Sequence, residues 1–215
     1  MKGFAIGVTL ISFIMLFGFV YLLGKSTPSQ EDNASILSID NDDWVYGNRD
    51  SKVVLVEYAD YECEACAAAS PMVETIKAEY KDKIAFVVRY FPLPGHQYSK
   101  QSAYAVESAG KQGKYWEMNK LMFQNQIDWS GNPKSDEIFR GYAQDLGLNI
   151  EQFNADSDSA QTKEKVENDL KSGKDLNIQG TPTFFLNGRK IPTPRNIESF
   201  RKLLDEEIKK SSSTE

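Results

Sequence analysis

The chain has 215 residues, of which 40% are hydrophobic, and a formal net charge of −6. This composition supports a folded core and excludes a wholly disordered chain, and the acidic charge argues against nucleic-acid binding, which needs a clustered positive surface. Two cysteines and one histidine are too few for a disulfide-stapled mini-protein, and they cannot supply four zinc ligands without carboxylates or a second chain.

Residues 1–25 predict a transmembrane helix that acts as a signal anchor. The chain runs from Gly3 to Leu23 without a charged residue, and about 20 apolar residues span a bilayer as a helix. The apolar region of a cleaved signal peptide is shorter, about 7–15 residues. An uncleaved single-pass anchor is therefore favoured, with a cleaved signal peptide as the alternative. The small excess of positive charge before the run places the C-terminal part of the chain outside the cytoplasm.

The remaining residues predict one folded domain between two flexible segments. Residues 26–43 are mostly polar and predict a flexible linker with a reach of roughly 20–25 Å. Residues 211–215 predict a disordered tail. The folded domain is therefore expected to span residues 44–210.

A βαβ unit is predicted at the start of this domain. Val53–Ala59 and Ile84–Tyr90 are short, apolar and rich in β-branched residues, as expected of buried parallel strands. Between them, apolar residues from Cys63 to Tyr80 recur at helical spacing, and Pro71 is expected to bend this helix.

A block of helices is predicted from about residue 98 to 174. The segments Ser99–Lys111, Tyr115–Gln126 and Asp136–Leu146 show amphipathic spacing, and Thr162–Leu176 predicts a charged, solvated helix. The domain is then predicted to end with two strands and a helix.

Those last strands, Thr183–Leu186 and Arg189–Ile191, flank Asn187-Gly188, which is a strong hairpin signal, and the closing helix is Asn196–Lys209. The order of elements predicts an α/β fold.

The sequence Cys63-Glu64-Ala65-Cys66 is the candidate redox centre. It lies where a predicted strand leads into a helix, and a helix N-terminus lowers the pKa of a nearby thiol. The spacing brings both cysteines within disulfide reach, and Cys66 lies one turn deeper. Half of a zinc site and a passive disulfide are the alternatives. No second such motif exists, and so short a disulfide loop would stabilise the fold little, so a redox pair is favoured.

Two further positions are candidates from the residues alone. Thr181-Pro182 follows a glycine at the start of a predicted strand and is a candidate cis peptide bond, although only about 5–6% of bonds before proline are cis. His96 lies in a predicted loop, where a single histidine more often has a structural hydrogen-bonding role than an acid–base role.

Four ordered motifs resemble the DsbA-like thiol–disulfide oxidoreductases, which have a thioredoxin fold with a helical insertion. They are VEYADYECEAC at 56–66, YFPLPGH at 90–96, GKYWEMNKLMF at 113–123 and GTPTFFLNG at 180–188. The resemblance covers nearly all of residues 44–210 and implies that 98–174 is the insertion. It also implies that Cys63 is the nucleophile, Cys66 the resolving cysteine and Pro182 a cis-proline facing them. The backbone of Thr181 would pair with an extended substrate peptide.

Glu57 is a candidate proton relay. It precedes Cys63 by six residues on the predicted central strand, and in similar proteins an acid at this offset lies buried beneath the cysteine pair. A buried carboxyl group has a raised pKa and can transfer the proton of the resolving thiol. The alternative is an exposed glutamate at the end of a strand.

The residues around the nucleophile depart from the strongest oxidants of the family, which resemble Cys-Pro-His-Cys. Here Glu64 and Ala65 lie between the cysteines, and Asp60 and Glu62 precede them. We expect these acids to be exposed, to raise the pKa of Cys63 modestly, and to make the protein a milder oxidant.

The sequence thus predicts a membrane-anchored, extracytoplasmic thiol–disulfide oxidoreductase that acts on cysteine-containing exported proteins, with disulfide formation as the favoured direction. The resemblance implies reoxidation by a membrane partner that passes electrons to quinone. No organic cofactor or metal is expected, because no phosphate-binding glycine loop or complete ligand set is present. The alternatives are a reductase or isomerase fed by a membrane electron donor, and a non-catalytic anchored binding module or chaperone.

Overall fold

The structure of the protein is a computed structural model that describes residues 36–213. The described elements are β1 (Val45–Gly47), β2 (Val54–Ala59), α1 (Glu64–Tyr80), β3 (Ala85–Tyr90), α2 (Ser99–Lys111), α3 (Tyr115–Gln124), α4 (Gln126–Trp129), α5 (Ser135–Asp145), α6 (Ile150–Asp158), α7 (Ala160–Asp175), β4 (Thr183–Leu186), β5 (Arg189–Ile191) and α8 (Ile197–Ser212). The predicted order βαβ, helical block, ββα is confirmed. The short edge strand β1, the separate turn α4 and the helix α6 were not predicted individually.

The strands form a five-stranded sheet in the order β1-β3-β2-β4-β5. β2 and β3 are parallel, as predicted for a βαβ unit, and the other pairs are antiparallel. β2 is therefore central, and Glu57 in its middle lies opposite Val88 on one side and Phe184 on the other. Because β2 has a neighbour on both sides, its carboxyl end is held firmly where the chain enters α1.

The two faces of the sheet support separate hydrophobic clusters. Leu55 and Ala59 on one face pack in a cluster with residues of α1 and α8, including Ile76 and Phe200. On the other face, Val56 and Tyr58 pack with Leu170 of α7. The strict alternation along β2 places Glu57 on the face with Leu55 and Ala59, which is the face covered by α1.

The β4–β5 hairpin has the predicted Asn187-Gly188 turn. Both residues have positive φ angles, 47° and 75°, which the two central residues of a type I′ turn require. The side chain of Asn187 also accepts a hydrogen bond from the Val54 backbone N–H at 2.7 Å. This contact fixes the hairpin against the start of the central strand.

The helix predicted to be charged and solvated, Thr162–Leu176, is solvated on one side only. It corresponds to α7, in which Lys165 and Asp169 are buried. The Lys165 ammonium lies 2.7 Å from Asp169 and 3.2 Å from Asp43. The i, i+4 spacing of opposite charges allows this helix to turn a charged side toward the sheet.

The predicted boundaries of the domain need two corrections. Part of the expected linker is folded, because Leu37 is only 4% exposed, Asp43 is buried, and Arg89 donates hydrogen bonds to the carbonyls of Ile36 and Ser38. The expected tail is shortened, because α8 continues to Ser212. The predicted anchor, residues 1–25, and linker residues 26–35 lie outside the described residues. Within 36–213, no helix has both the length and the apolar character needed to cross a bilayer.

Candidate active site

Cys63 and Cys66 lie at the N-terminus of α1, directly after β2. Cys63 is the N-cap residue, and its carbonyl accepts the N–H groups of Cys66 and Ala67 at 3.0 and 3.1 Å. Both thiols are free, with Cys63 8% exposed and Cys66 only 1% exposed. The expectation that Cys66 is the more shielded cysteine is confirmed.

The pKa values of the two thiols are shifted in opposite directions. The pKa of Cys63 is lowered to about 5, and the largest cause is a hydrogen bond from the Cys66 thiol. The Thr181 side chain and the backbone N–H groups of Cys66 and Ala65 lower it further, whereas burial raises it. Burial, the neighbouring Cys63 sulfur and the charge of Glu57 raise the pKa of Cys66. At neutral pH, Cys63 is therefore a thiolate and Cys66 a thiol, which are the states that a nucleophile and a protected resolving group need.

The Thr181–Pro182 loop faces the reactive sulfur. The peptide bond is cis, as predicted, and Cys63 Sγ lies 3.4 Å from the Thr181 carbonyl oxygen, which can accept a hydrogen bond only from the protonated thiol. Among the described residues, the buried hydroxyl of Thr181 has no hydrogen-bond partner apart from the Cys63 sulfur, whose pKa it lowers. It is thus available to donate to the Cys63 thiolate. The structure brings together all four predicted residues of the exchange site, although their roles stay predictions.

Glu57 is buried beneath this pair, so the alternative of an exposed strand-end glutamate is wrong. Its side chain is 3% exposed, and burial raises its pKa to about 8, with the Lys77 charge opposing this effect. Because its charge in turn raises the pKa of Cys66, the two groups interact electrostatically. Its role as a proton relay stays a prediction.

Lys77 is a part of this site that the sequence analysis missed. It is buried in α1, donates to Glu74 at 2.6 Å, and lies 4.3 Å from the ring centroid of Trp116. Burial lowers its pKa, although its pair with Glu74 opposes this. Lys77 follows the buried Val73 by four residues and precedes the buried Tyr80 by three, so the sequence placed it on the apolar face of α1.

Asp60 and Glu62 are buried, so the expectation that they are exposed charges is wrong. The carboxylate of Asp60 accepts from the Glu62 N–H at 2.9 Å, the Leu93 N–H at 2.8 Å and the Ser99 hydroxyl at 2.6 Å, and lies 2.7 Å from His96 Nδ1. Four partners thus hold the charge of Asp60 in place. The contact with His96 agrees with the structural role expected for that histidine.

Glu62 connects the cysteine loop to the helical insertion. Its carboxylate accepts from the backbone N–H of Tyr98 at 2.7 Å and of Gly131 at 3.3 Å, and from the Ser130 hydroxyl at 3.4 Å. Asp60 and Glu62 therefore act as anchors for the loop. Of the acids near Cys63 in sequence, Glu64 alone is exposed. The backbone N–H of Ala65 also lowers the pKa of Cys63.

A cavity in the described part of the chain lies away from the cysteines. It has a volume of about 940 Å³ and lies between the helical insertion and the segment after β3, lined by residues such as Phe91, Phe139, Phe153 and Ile178. The cysteines, Thr181 and Pro182 do not line it. Among residues 36–213, no group of three or more His, Cys, Asp or Glu side chains is placed to hold a metal ion.

Comparisons with known proteins agree with this architecture. A family model described as "Thioredoxin" matches residues 40–206. The Na(+)/H(+) antiporter NhaA 1 of Mycobacterium sp. (strain KMS) is 34% identical over 168 residues, which are 76% of this chain and 26% of that protein. The Na(+)/H(+) antiporter NhaA of Herminiimonas arsenicoxydans is 38% identical over 149 residues, or 69% of this chain and 23% of that protein. The chain thus spans about a quarter of the length of these relatives.

Solved structures share the fold. Wolbachia pipientis alpha-DsbA1 has a TM-score of 0.76 at 22% identity, covering 85% of this chain and 98% of that one. Oxidised BdbD from Bacillus subtilis has a TM-score of 0.70 at 22% identity, with coverages of 78% and 94%. The catalytic domain of Proteus mirabilis ScsC has a TM-score of 0.69 at 21% identity, with coverages of 83% and 96%.

Proposed function

We propose that this chain, which belongs to the thioredoxin family, is a DsbA-like thiol–disulfide oxidoreductase that forms disulfide bonds in exported proteins through Cys63 and Cys66. The observation that carries the proposal is the opposite acidity of the two thiols. A thiolate at Cys63 is a good nucleophile and leaving group, whereas a buried, protonated Cys66 is protected from external disulfides.

The reaction begins with the Cys63–Cys66 disulfide. A substrate thiolate attacks Cys63 Sγ, a mixed disulfide forms, and Cys66 leaves with the electron pair of the broken bond. Glu57 would supply the proton that the buried Cys66 sulfur needs, because burial raises the pKa of Glu57 to about 8 and its charge acts on Cys66. A second substrate thiolate then attacks the substrate sulfur of the mixed disulfide and releases Cys63 as a thiolate. The substrate loses two electrons, and the cysteine pair gains them.

The acidity of Cys63 supports oxidation as the favoured direction. A thiolate stabilised in the reduced protein makes the disulfide easier to reduce, and hence a stronger oxidant. A pKa of about 5 lies well below the ordinary thiol value, yet above the value of about 3.5 typical of the strongest oxidants. We therefore expect a reduction potential between about −180 and −120 mV. A potential near −270 mV would instead indicate a reductase.

Export and membrane attachment complete the proposal. The apolar run from Gly3 to Leu23 supports an N-terminal anchor with the catalytic domain outside the cytoplasm. Each catalytic cycle leaves the cysteine pair reduced, so an oxidase of this kind needs a partner that accepts two electrons. A membrane protein linked to quinone would meet that need, with no further cofactor on this chain.

Trapping in cells tests the proposal. A Cys66→Ala variant cannot resolve mixed disulfides, so it should accumulate exported proteins bound to Cys63 that are released by a reductant. The Cys63→Ala/Cys66→Ala double variant is the matched control and should trap none. Absence of adducts in the single variant, or adducts restricted to cytoplasmic proteins, would contradict the proposal.

A further inference from the structure

Three consecutive residues of the cysteine loop are held by side chains or backbone of the helical insertion. The contacts of Glu62 with the segment around Gly131 are described above. The preceding residue, Tyr61, is buried, with its ring centroid 4.7 Å from that of Phe123 and its hydroxyl accepting from Asn119 at 2.8 Å. The loop that carries the nucleophile is therefore attached to α3 as well as to the sheet.

Gln126, the first residue of α4, makes the most direct of these attachments. Its buried side-chain amide donates to the Tyr61 carbonyl at 2.6 Å and to the Cys63 carbonyl at 3.0 Å. A glutamine NH₂ group has two hydrogens, so one side chain satisfies both carbonyls. It thereby holds the residue on either side of Glu62.

The turn that carries Gln126 is itself firmly held. Trp129, at the end of α4, is fully buried, donates its indole N–H to the Met122 carbonyl at 3.0 Å, and packs edge-to-face on Phe139 at 5.2 Å. Because α4 comprises only residues 126–129, fixing Trp129 also fixes the start of the turn. Gln126 thus links the cysteine loop to the core of the insertion.

We propose that Gln126 is a positioning residue that sets the reactivity of Cys63 from the helical insertion. The inference rests on the proposed role of Cys63 as the nucleophile. Cys63 is the N-cap of α1, and its carbonyl also receives the N–H groups of Cys66 and Ala67. Fixing this carbonyl fixes the rotation of the first helical turn relative to Cys63 Sγ.

That rotation matters because the first turn supplies donors to the sulfur. The backbone N–H groups of Ala65 and Cys66, with the Cys66 thiol, stabilise the Cys63 thiolate. If the carbonyl loses its contact with Gln126, the turn can rotate and these donors no longer converge on Sγ. The insertion then contributes to catalysis through one hydrogen-bonded side chain, without touching the substrate.

A thiolate titration of the full-length reduced chain tests the inference. Gln126→Leu removes both hydrogen bonds, and Gln126→Asn shortens the side chain so that it cannot reach both carbonyls. Gln124→Leu is the matched control, because Gln124 lies two residues earlier and is exposed. We expect the midpoint of Cys63 to rise by about one pH unit in Gln126→Leu, by less in Gln126→Asn, and not at all in Gln124→Leu.

The redox equilibrium with glutathione provides a second readout. At neutral pH the Gln126→Leu protein should shift about tenfold toward its disulfide form, because the reduced thiolate loses stabilisation. A purely structural role for Gln126 predicts lower unfolding temperatures for both variants, with the midpoint and equilibrium unchanged, and that result would overturn the inference. If Gln126→Leu does not fold, the milder Gln126→Asn variant decides.

The titration also separates this inference from the proposed function. It reads the Cys63 sulfur without any substrate, so it remains informative if the wild-type protein fails to trap exported proteins. Trapping without a midpoint shift would leave the proposed function standing and remove Gln126 from it.

Discussion

Asp43 and Glu57 are buried carboxyl groups on opposite faces of the sheet, and their pKa values are shifted in opposite directions. Burial alone would raise the pKa of Asp43, but a hydrogen bond from Arg89 and the charges of Lys165 and Arg89 hold it below its ordinary value. Burial raises the pKa of Glu57 to about 8. The charge of Lys77 opposes this effect only in part, because Lys77 is itself paired with Glu74. The charge of Asp43, which is compensated by two cations, stabilises the fold. The carboxyl group of Glu57 beside the cysteines is poorly compensated, so it remains able to exchange a proton.

The same contrast applies to the hydrogen bonds of the two regions. Arg89 ties Asp43 and the carbonyls of Ile36 and Ser38 to β3. In contrast, the Thr181 hydroxyl beside the cysteines has no partner among residues 36–213 apart from the Cys63 sulfur. The structure therefore separates a region that maintains the fold from a region with unused hydrogen-bonding capacity, as expected where a substrate or a charged intermediate must bind.

The largest expected effect comes from the sulfur itself. Cys63→Ser should reduce thiol–disulfide exchange to the uncatalysed rate, because the hydroxyl cannot form the mixed disulfide. Its free energy of unfolding in the reduced state should stay close to that of the wild type. Insulin reduction and urea unfolding measure the two quantities. Residual exchange above the uncatalysed rate would place the nucleophile elsewhere.

On the sheet face that carries Asp43, we expect a substitution to reduce stability and leave thiol–disulfide exchange unchanged. Arg89→Met leaves Asp43 buried with fewer partners and should lower the free energy of unfolding by about 3–5 kcal/mol. Exchange per folded molecule should not change, because Arg89 contacts neither cysteine. Arg201→Met, which breaks an exposed pair with Glu79, is the control and should leave unfolding unchanged. A loss of activity in folded Arg89→Met would contradict the claim that the Asp43–Arg89 region serves stability alone.

Glu57→Gln should affect both rate and pH dependence. Removing the proton relay should slow release of Cys66 by about tenfold or more across pH 6–9. Stability has a definite sign, because the folded pKa is raised. The wild type should lose stability relative to Glu57→Gln as pH rises from about 4.5 to about 8, and the difference should level off above that. Rapid mixing with substrate and urea unfolding at several pH values measure these effects.

Unchanged exchange rates across that pH range would remove Glu57 from the mechanism. Parallel stability curves for the wild type and the Glu57→Gln variant would show that the carboxyl group is not buried in its neutral form.

The smallest effect is expected at Glu64, the exposed acid between the cysteines. Glu64→Gln should lower the titration midpoint of Cys63 by a few tenths of a pH unit, because an exposed charge is screened by solvent. Thiolate absorbance against pH measures this shift. A change as large as one unit, or a rise in the midpoint, would show that the electrostatics around Cys63 are not those described here.

Local signals predicted much of the fold. The Asn187-Gly188 turn, the apolar β-branched run Val53–Ala59 and the helical spacing of Ser99–Lys111 depend on near neighbours in sequence, and each element was predicted correctly or within one residue. The edge strand β1 has only three residues, Val45–Gly47, and its pairing with β3 is a contact between distant parts of the chain. No local pattern predicts such a pairing.

The burial of charged residues was the main feature that the sequence did not predict, because it too depends on contacts between distant parts of the chain. Asp60 and Glu62 resemble exposed loop acids in sequence, yet their partners are Leu93, Tyr98 and Ser99, more than 30 residues later. Asp43 in the supposed linker likewise depends on distant cations. The CxxC motif and the cis-proline were predictable because their chemistry lies in short motifs, whereas the residues that support them are assembled only by the fold.

The most direct test of the central claim is pH-dependent alkylation of the reduced full-length protein with iodoacetamide, with the labelled cysteine identified by mass spectrometry. The account predicts that Cys63 alone is labelled and that its rate has a midpoint near pH 5, while Cys66 stays unlabelled until the protein unfolds. A midpoint near the ordinary thiol value of about 8.5, or equal labelling of both cysteines, would contradict it.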